Sequence, residues 1–358
     1  MRKAGDKSIL VDGREFVIGR RTGIGRFLEG LLLAMGAYHP EWKLKVLLRE
    51  GCELPHALKG VESVHLGSSG ELAFGRECSL LSTNADLFLS PYPKLPLRRL
   101  YCSTLHTVHD VFYLTHSTNR SNWLRTMVAR WLLKRSTANA SLTWFVSRAS
   151  QQACEALVGP TEHSAVRYSP IEACFSPGDS EQEESTSDNF LCVGNGMPHK
   201  NVEVLLKAIE GTTLKLKCVG VSKQGEQRII ASCPEVRNQV QFLRGVDDAE
   251  LIKHYRNATA LLLPSFEEGY GFPPLEAMAC GTPAIVSDIP ALRESTGGRA
   301  IFCSPHDSGA WQRAMLRMQE PAGREAKRQE ALAWIPCRQG QAGWQDHLSD
   351  MAALMESN

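Results

Sequence analysis

Short apolar runs alternate with segments of helical periodicity along most of the chain. In the first half, the pattern predicts strands at Ile9–Val11, Lys45–Leu48, Leu87–Leu89, Leu105–His109 and Leu142–Val146. It predicts helices there at Ile24–Gly36, Ser121–Arg135 and Arg148–Val158. Alternation of this kind indicates α/β layers built on parallel strands.

The alternation stops at Ser176–Asn189, a polar, acidic and turn-forming stretch that cannot bury enough apolar surface to fold alone. It then restarts. Strands are predicted at Phe190–Val193, Leu214–Val219, Ala260–Leu263, Ala284–Val286 and Ala300–Phe302. Helices are predicted at Val202–Glu210, Ala249–Arg256, 274–280, Pro290–Glu294 and Ser308–Met318.

Two α/β domains are therefore expected, as the length of 358 residues also favours. We assign residues 1–175 to an N-terminal domain, 176–189 to a linker and 190–335 to a C-terminal domain. The helical tail at 336–358 is expected to pack back on the N-terminal domain.

Composition narrows the class of protein. Forty basic residues balance 39 acidic ones, so no overall field attracts nucleic acid. Eleven cysteines, without a C-x-x-C pair, fit a reducing compartment. The first residues contain too short an apolar run for a signal peptide, and no apolar run is long enough to span a bilayer. The expected location is the cytoplasm.

The stretch Pro264–Glu294 carries the most chemical information, because it combines a glycine loop, a short helix and a strand after an apolar strand. Ligands of parallel sheets bind at such strand ends, where helix N–H groups meet anions. Gly271 permits close backbone approach, and Glu268 and Glu276 bracket the loop. Pro274 is expected in the first helical turn with Glu276, and Gly281 at the helix end.

Carboxylates near a bound polyanion are repelled by it, so Glu268 and Glu276 are best interpreted as acceptors of hydrogen bonds from sugar hydroxyls. In the alternative interpretation, Glu276 complements the helix dipole and Glu268 is a solvated loop residue.

The spacing Glu268-x7-Glu276 within EEGYGFPPLEAMACGTPAIVSD resembles the E-x7-E signature of family 4 glycosyltransferases. Four further stretches match in family order: TGIGRF, VHDVFYLTH, VSRAS and VGNGMPHKN. The resemblance covers about residues 20–310. It implies the GT-B fold, in which two Rossmann-like domains, for acceptor and nucleotide-sugar donor, face a central cleft.

The resemblance also implies roles for individual residues. Glu268 would contact the donor sugar, Glu276 the ribose and Lys200 the diphosphate, while His109 would face the sugar across the cleft. The predicted catalytic residues are therefore His109, Glu268 and Lys200. The predicted donor-binding residues are Glu276, Gly271, Phe272, Pro273, Asn195, Gly23 and Gly25. No metal or cofactor is implied, and the H-x-x-H pair His106 and His109 lacks a further ligand set.

Lys200 has support of its own, because it follows a strand and the flexible stretch 194–196, where an ammonium can meet a departing phosphate. Its neighbourhood departs from the family, since many relatives have arginine where this chain has Asn195. Arg20, Arg21 and Arg26 are candidates to replace that charge, although each is more often a surface residue.

The segment Ser121–Arg135 mixes tryptophan, methionine and basic residues. We expect an ordinary packed helix because its basic side chains scatter around the helix and Lys134 falls within the apolar stripe. The alternative is peripheral docking on the cytoplasmic face of the inner membrane.

The resemblance implies retention of configuration, by attack of an acceptor hydroxyl on the face that the diphosphate leaves. The residues of these motifs most closely resemble those of bacterial mannosyltransferases of lipopolysaccharide or exopolysaccharide assembly. GDP-mannose is therefore the expected donor, and a glycan or lipid-linked glycan the acceptor. UDP-sugar or deoxysugar transfer, a nucleotide-sugar epimerase, a dinucleotide-dependent oxidoreductase and a non-catalytic nucleotide-binding protein remain alternatives.

Overall fold

A computed structural model of the chain describes residues 7–19, 22–67, 70–115, 123–178, 189–335 and 339–357. The chain divides into two compact units. The first comprises Met1–Pro170 and Gly340–Asn358, and the second comprises Ile171–Gln339. Most of the predicted linker, residues 179–188, lies outside the described residues, as do Arg20 and Arg21.

The first unit is built on a seven-stranded parallel sheet of order β3-β2-β1-β4-β5-β6-β7. Its strands are β1 (Ser8–Asp12), β2 (Lys43–Arg49), β3 (Glu62–Leu66), β4 (Leu87–Ser90), β5 (Ser103–Val108), β6 (Leu142–Phe145) and β7 (Ser164–Val166). The central strands β4 and β5 are buried along their whole length, as parallel strands covered on both faces should be.

Helices cover this sheet. They are α1 (Gly23–Tyr38), α2 (Glu71–Leu81), α3 (Phe112–Thr115), α4 (Trp123–Asn139) and α5 (Arg148–Val158). Helix α1 begins after Thr22, whose hydroxyl accepts a hydrogen bond from the Gly25 N–H at 3.0 Å, and α5 begins after Ser147 in the same way. Such N-caps place both helix starts where the sequence pattern predicted them.

The second unit contains a six-stranded parallel sheet of order β10-β9-β8-β11-β12-β13. Its strands are β8 (Asn189–Val193), β9 (Lys215–Val219), β10 (Val240–Leu243), β11 (Leu261–Leu263), β12 (Ala284–Ser287) and β13 (Ile301–Cys303). Its helices are α6 (Val202–Ile209), α7 (Lys223–Ala231), α8 (Asp248–Arg256), α9 (Phe272–Ala279), α10 (Pro290–Ser295), α11 (Ser308–Gln319) and α12 (Pro321–Trp334).

Residues after Pro170 pack on this second unit. The Phe175 ring lies 6.0 Å from that of Tyr255 in α8, and the Arg256 Nε donates to the Ser176 carbonyl at 3.0 Å. Near the other end of the unit, the side chain of Gln339 donates to the carbonyl of Phe175, and Ile171 pairs with Gln339 in a β-bridge. These contacts bring the two ends of the second unit together.

The last helix, α13 (Gln345–Glu356), belongs to the first unit. Leu348, Met351 and Met355 are buried in the same apolar cluster as β1. Asp350 accepts hydrogen bonds from the Trp144 Nε1 at 2.8 Å and from the Arg167 guanidinium at 2.7 Å. Apolar burial and a bidentate arginine pair therefore fix the tail on the first sheet.

The predicted α/β class with two parallel sheets is confirmed, and most predicted elements are present with bounds shifted by one to three residues. Elements that escaped the pattern analysis include β3, β7, β10, α2, α3 and α7. Within the described ranges we find no helix with the length and hydropathy required for a transmembrane span.

Candidate functional site

The strand order of the second sheet reverses between β8 and β11, because the chain builds outward from β8 to β9 and β10 and then returns to add β11 on the other side. Ligands of open α/β sheets bind outside the carboxyl ends of the strands at such a reversal. Lys200 follows β8, and Glu268 and Gly271 follow β11. The topology therefore places three of the predicted residues at one crevice of the sheet.

Two hydrogen bonds join the loops that leave these strands. The Phe266 N–H donates to the His199 carbonyl at 2.9 Å, and the Asn201 side chain donates to the Pro264 carbonyl at 3.0 Å. Asn201 also donates to the Pro305 carbonyl at 2.8 Å and adopts a left-handed backbone conformation with φ of 51°. Buried Asn201 thus fixes the position of the preceding residue, Lys200. The sequence did not predict this contact of Asn201, because its partners Pro264 and Pro305 are 63 and 104 residues away along the chain.

Lys200 and Glu268 contact each other directly. The Lys200 Nζ lies 2.6 Å from the Glu268 Oε1, and the Ser265 hydroxyl donates to the same oxygen at 2.6 Å. The lysine side chain is 20% exposed and the glutamate 10%. A partly buried ammonium with one carboxylate partner keeps donor capacity for a second anion, so this pair can receive a phosphate on the lysine and a hydroxyl on the glutamate.

Glu276 is buried, with 2% of its surface exposed, and its Oε2 accepts a hydrogen bond from the Tyr255 hydroxyl at 2.7 Å. The prediction that Glu276 lies in the first helical turn is wrong. Helix α9 begins at Phe272 rather than 274, so Glu276 is its fifth residue and no acidic residue lies in the first turn. A role as dipole complement at the helix start is therefore excluded, since that effect fades beyond the first turn.

The start of α9 offers a small set of backbone donors. An α-helix leaves its first four N–H groups without intrahelical partners, here those from Gly271 to Pro274, and two of these positions are proline. Gly271 and Phe272 therefore supply the amides, whereas Pro273 has none. Gly271 has φ of 90°, and an added Cβ would lie 2.5 Å from the Leu292 Cδ2. Only glycine fits there without strain.

Asn195 is exposed, and its side chain accepts a hydrogen bond from the Met197 N–H at 3.1 Å, which closes a local turn. An arginine missed by the sequence analysis lies at the same loop: Arg228 of α7 donates to the Gly196 carbonyl at 2.5 Å and to Glu203 at 3.1 Å. Its helix was not predicted, so the residue could not be placed. Arg26, considered as a substitute for the expected arginine, lies in α1 of the first unit.

In the first unit, Gly23 is the first residue of α1 and Gly25 is buried within it. The Gly25 N–H is engaged by Thr22, and the Thr22 hydroxyl in turn donates to Glu15. Tyr92 also donates to Glu15, at 2.9 Å. A concavity of about 700 Å³ is lined by Glu15, Thr22, Gly25, Glu29 and Glu53 among others. The Gly25 amide is thus engaged in the N-cap of α1.

His109 follows β5 directly and is partly buried beside Phe27, with ring centroids 5.1 Å apart. Burial lowers the pKa of His109 to about 4, against the opposite effect of a hydrogen bond to the backbone of Pro91. The Ser150 hydroxyl donates to the His109 carbonyl at 2.9 Å. The imidazole is therefore neutral at physiological pH, so it can exchange hydrogen bonds but supplies no positive charge.

The two parallel sheets and their connections are those of the GT-B glycosyltransferase fold. The solved sucrose-phosphate synthase of Thermosynechococcus elongatus superposes with a TM-score of 0.79 over 98% of both chains, at 17% sequence identity. Residues 179–331 match the family described as Glycosyl transferases group 1. The matched segment includes Lys200, Glu268 and Glu276, and its similarity to that family agrees with the fold.

Relatives with assigned activities include two bacterial enzymes. The chain is 28% identical over 241 residues to the O-antigen chain mannosyltransferase RfbU of Salmonella typhimurium strain LT2. This alignment covers 66% of each chain. It is 30% identical over 152 residues to O-antigen chain mannosyltransferase B of Escherichia coli. That alignment covers 40% of each chain. The matched part thus spans 66% of the length of the first relative and 40% of the second.

Proposed function

We propose that the protein is a retaining glycosyltransferase that transfers mannose from GDP-mannose to a glycan or lipid-linked glycan of a cell-surface polysaccharide. The observation that carries the proposal is the meeting of Lys200 and Glu268 at the strand-order reversal of a group 1 domain. A cation for a diphosphate and a carboxylate for sugar hydroxyls are the two groups that a nucleotide-sugar donor requires.

In the proposed reaction, the Lys200 ammonium and the amides of Gly271 and Phe272 stabilise the negative charge that develops on the leaving diphosphate. Such groups lower the barrier because they bind the departing phosphate more tightly than the intact donor. The acceptor hydroxyl attacks the anomeric carbon from the same face as the bond to the diphosphate breaks. The acceptor proton passes to the leaving phosphate oxygen, which balances the step without a covalent sugar-enzyme intermediate.

Glu268 orients the donor sugar through its hydroxyls, and Lys200 and Ser265 hold its Oε1 in place for that task. Glu276 binds the ribose, with the Tyr255 hydroxyl fixing one of its oxygens. His109 is proposed as a further catalytic residue that acts through hydrogen bonds of its neutral imidazole. Because Lys200 supplies the positive charge, we propose a reaction that needs no metal.

Mannose as the transferred sugar is supported by the two O-antigen mannosyltransferases, and both matches include only part of each chain. GDP as the carrier is proposed on the motif resemblance alone. Their names concern O-antigen chains, which is why a lipid-linked glycan is the proposed acceptor. Peripheral association with the cytoplasmic face of the membrane would give the enzyme access to such an acceptor.

The test is thermal stabilisation of the purified chain by GDP, GDP-mannose, UDP-glucose and UDP-N-acetylglucosamine, each offered separately. Wild type is compared with Glu276→Gln, which keeps the volume of the side chain, and with Glu325→Gln, an exposed control on α12. GDP and GDP-mannose should raise the melting temperature of the wild type and the control, and this rise should be much smaller for Glu276→Gln.

Transfer itself is measured with radiolabelled GDP-mannose and a lipid extract as acceptor. Stabilisation by uridine nucleotides alone would keep the class of enzyme but remove the mannosyl assignment. Conversion of the donor to another sugar nucleotide without an acceptor would identify an epimerase instead. No response to any nucleotide would contradict the proposed glycosyltransferase function.

A further inference from the structure

Helix α4 of the first unit exposes an unusual row of large apolar side chains. Trp123, Leu124, Met127, Val128 and Trp131 are each between 54% and 60% exposed. Scattered single apolar residues are normal on a protein surface, but five on two and a half turns of one helix form a contiguous patch. We call these five residues the α4 stripe.

The α4 stripe occupies one side of the helix. At about 100° per residue, its five positions fall within an arc of about 140°. The opposite side is held to the unit by Leu133, which is buried beside Val108 and Phe145. The expectation of an ordinary packed helix is therefore wrong for this face, since the apolar residues that suggested packing point to solvent.

Polar contacts explain how α4 is held without using its stripe. The buried Ser136 hydroxyl accepts a hydrogen bond from the Leu95 N–H at 2.8 Å. The Arg135 guanidinium donates to the carbonyls of Pro96 and Leu97 at 3.2 and 2.9 Å. These bonds and Leu133 fix the orientation of the helix, so the stripe is presented on a rigid element.

The charged residues of α4 itself all have one sign. Arg130 lies beside one edge of the arc, Lys134 falls within the arc about one turn beyond Trp131, and Arg125 lies beyond the other edge; all three are exposed. Between Trp123 and Asn139 the helix contains no aspartate or glutamate. Apolar side chains flanked by cations fit a surface that offers hydrocarbon beneath anionic head groups, and tryptophan favours that boundary.

We propose that the α4 stripe docks the protein peripherally on an anionic phospholipid bilayer. The five apolar side chains would enter the boundary between head groups and acyl chains, while Arg130 and Lys134 would contact lipid phosphates. A second copy of this chain fits less well, because pairing like stripes brings like charges together. The inference is independent of the donor site, which lies in the other unit.

Binding is measured by sedimentation of the full chain with vesicles of phosphatidylglycerol and phosphatidylethanolamine, and with vesicles of phosphatidylcholine. The anionic vesicles should bind the wild type much more strongly, and high salt should weaken that binding. Met127→Gln with Trp131→Gln should reduce the partition coefficient more than about tenfold, because two apolar side chains no longer leave water. Arg130→Gln and Lys134→Gln should each reduce it about fivefold.

The matched control is Leu80→Gln on α2, since Leu80 is 64% exposed and lies outside the α4 stripe. It should bind vesicles as the wild type does. All these positions are exposed, so each variant should keep the melting temperature of the wild type and its stabilisation by GDP. Those two readouts separate a failure of docking from a failure to fold or to bind donor.

Depth is measured with vesicles that carry brominated acyl chains, which quench nearby tryptophan. Of the seven tryptophans, Trp42, Trp144, Trp311 and Trp344 are buried, whereas Trp123 and Trp131 are exposed. Trp123→Phe with Trp131→Phe should preserve binding and remove most of the quenching. Three results would overturn the proposal. They are vesicle binding by the glutamine variants equal to that of the wild type, unchanged quenching in the phenylalanine variant, and a dimer that depends on the α4 stripe and does not bind vesicles.

Discussion

The Tyr255 hydroxyl donates a hydrogen bond of 2.7 Å to the Glu276 Oε2, and both side chains are buried. Tyr255 lies in α8 and Glu276 in α9, so this bond fixes the rotamer of the carboxylate from outside its own helix. One oxygen of Glu276 is thereby directed by the fold, which would restrict the geometry in which the carboxylate accepts the ribose hydroxyl of the proposed donor.

Tyr255→Phe removes that bond with little change in shape. We expect the KM for the donor to rise about tenfold while kcat changes much less, since the proposed role of Glu276 is in binding rather than in the transition state. Loss of a hydrogen bond to a charged group should also cost about 1–3 kcal/mol of unfolding free energy. Steady-state kinetics and denaturant titration measure both. Tyr101→Phe, at an exposed position, is the control, and a large fall in kcat with unchanged KM would contradict the binding role.

Lys200→Met tests the charge at the leaving diphosphate. Removal of one preorganised electrostatic group should lower kcat about 10²- to 10³-fold. Lys223→Met, an exposed lysine on α7 of the same unit, should leave kcat unchanged. If Lys200→Met raised KM alone, Lys200 would bind the donor without assisting departure of the diphosphate.

Gly271→Ala should destabilise the second unit by about 1–3 kcal/mol, because alanine rarely adopts φ of 90° and its Cβ would meet the Leu292 Cδ2. Gly36→Ala in α1 is the matched control: a Cβ there meets nothing within 4 Å, so alanine should stabilise that helix slightly. Denaturant unfolding measures both. Adding Leu292→Ala to Gly271→Ala should relieve the contact but not the dihedral strain, so the free energy of unfolding should recover only in part.

Stability should fall as the pH is lowered from about 6.5 towards 4. Burial lowers the pKa values of His106 and His109 to about 4 and that of His347 to about 3, the last also through the charge of Arg167. The ordinary pKa of histidine is 6.5, so between about pH 6.5 and pH 4 the unfolded chain binds protons on these histidines that the folded chain does not bind. Each histidine then contributes a slope of up to about 1.4 kcal/mol per pH unit.

His347→Leu isolates one of these groups. Neither ring nitrogen of His347 has a hydrogen-bond partner among the described residues, so leucine loses little in that aromatic environment. Melting temperatures from pH 7 to pH 5 should decline less steeply for the variant. An identical decline in both proteins would show that His347 takes up its proton without unfolding.

Removal of metal ions provides a further check, because the proposed chemistry relies on Lys200 and the amides at the start of α9. Transfer of mannose should proceed at the same rate after treatment with EDTA and after addition of Mg²⁺ or Mn²⁺. A loss of activity in EDTA that a metal restores would require a cation at the diphosphate.

The sequence pattern located most strands and helices because buried strands are continuous apolar runs and helices begin at recognisable caps. It missed β3 and β7, whose side chains are largely exposed or only partly buried at the edges of the first sheet, so that burial leaves a weak signal there. It missed α7 because that helix is mostly polar, and Arg228 was missed with it.

The candidate site residues were proposed from motif spacing, but their contacts depend on what lies beside them in space. Nothing local relates Glu276 to Tyr255, or Asn201 to Pro305, since these pairs are 21 and 104 residues apart. The start of α9 was misplaced because Pro273 and Pro274 both suit the first turn, and the pattern assigned the helix start to the second of them.

The location of α13 affects the order in which the chain is made and folded. Leu348, Met351 and Met355 complete an apolar cluster that includes Ile9 and Val11, and the Ser103 hydroxyl donates to the Leu354 carbonyl at 2.9 Å. The ribosome synthesises the whole second unit before it reaches these residues. The first unit therefore cannot complete its core until α13 has been synthesised, and part of that core stays exposed to water until then. By that time the second unit already has all of its strands.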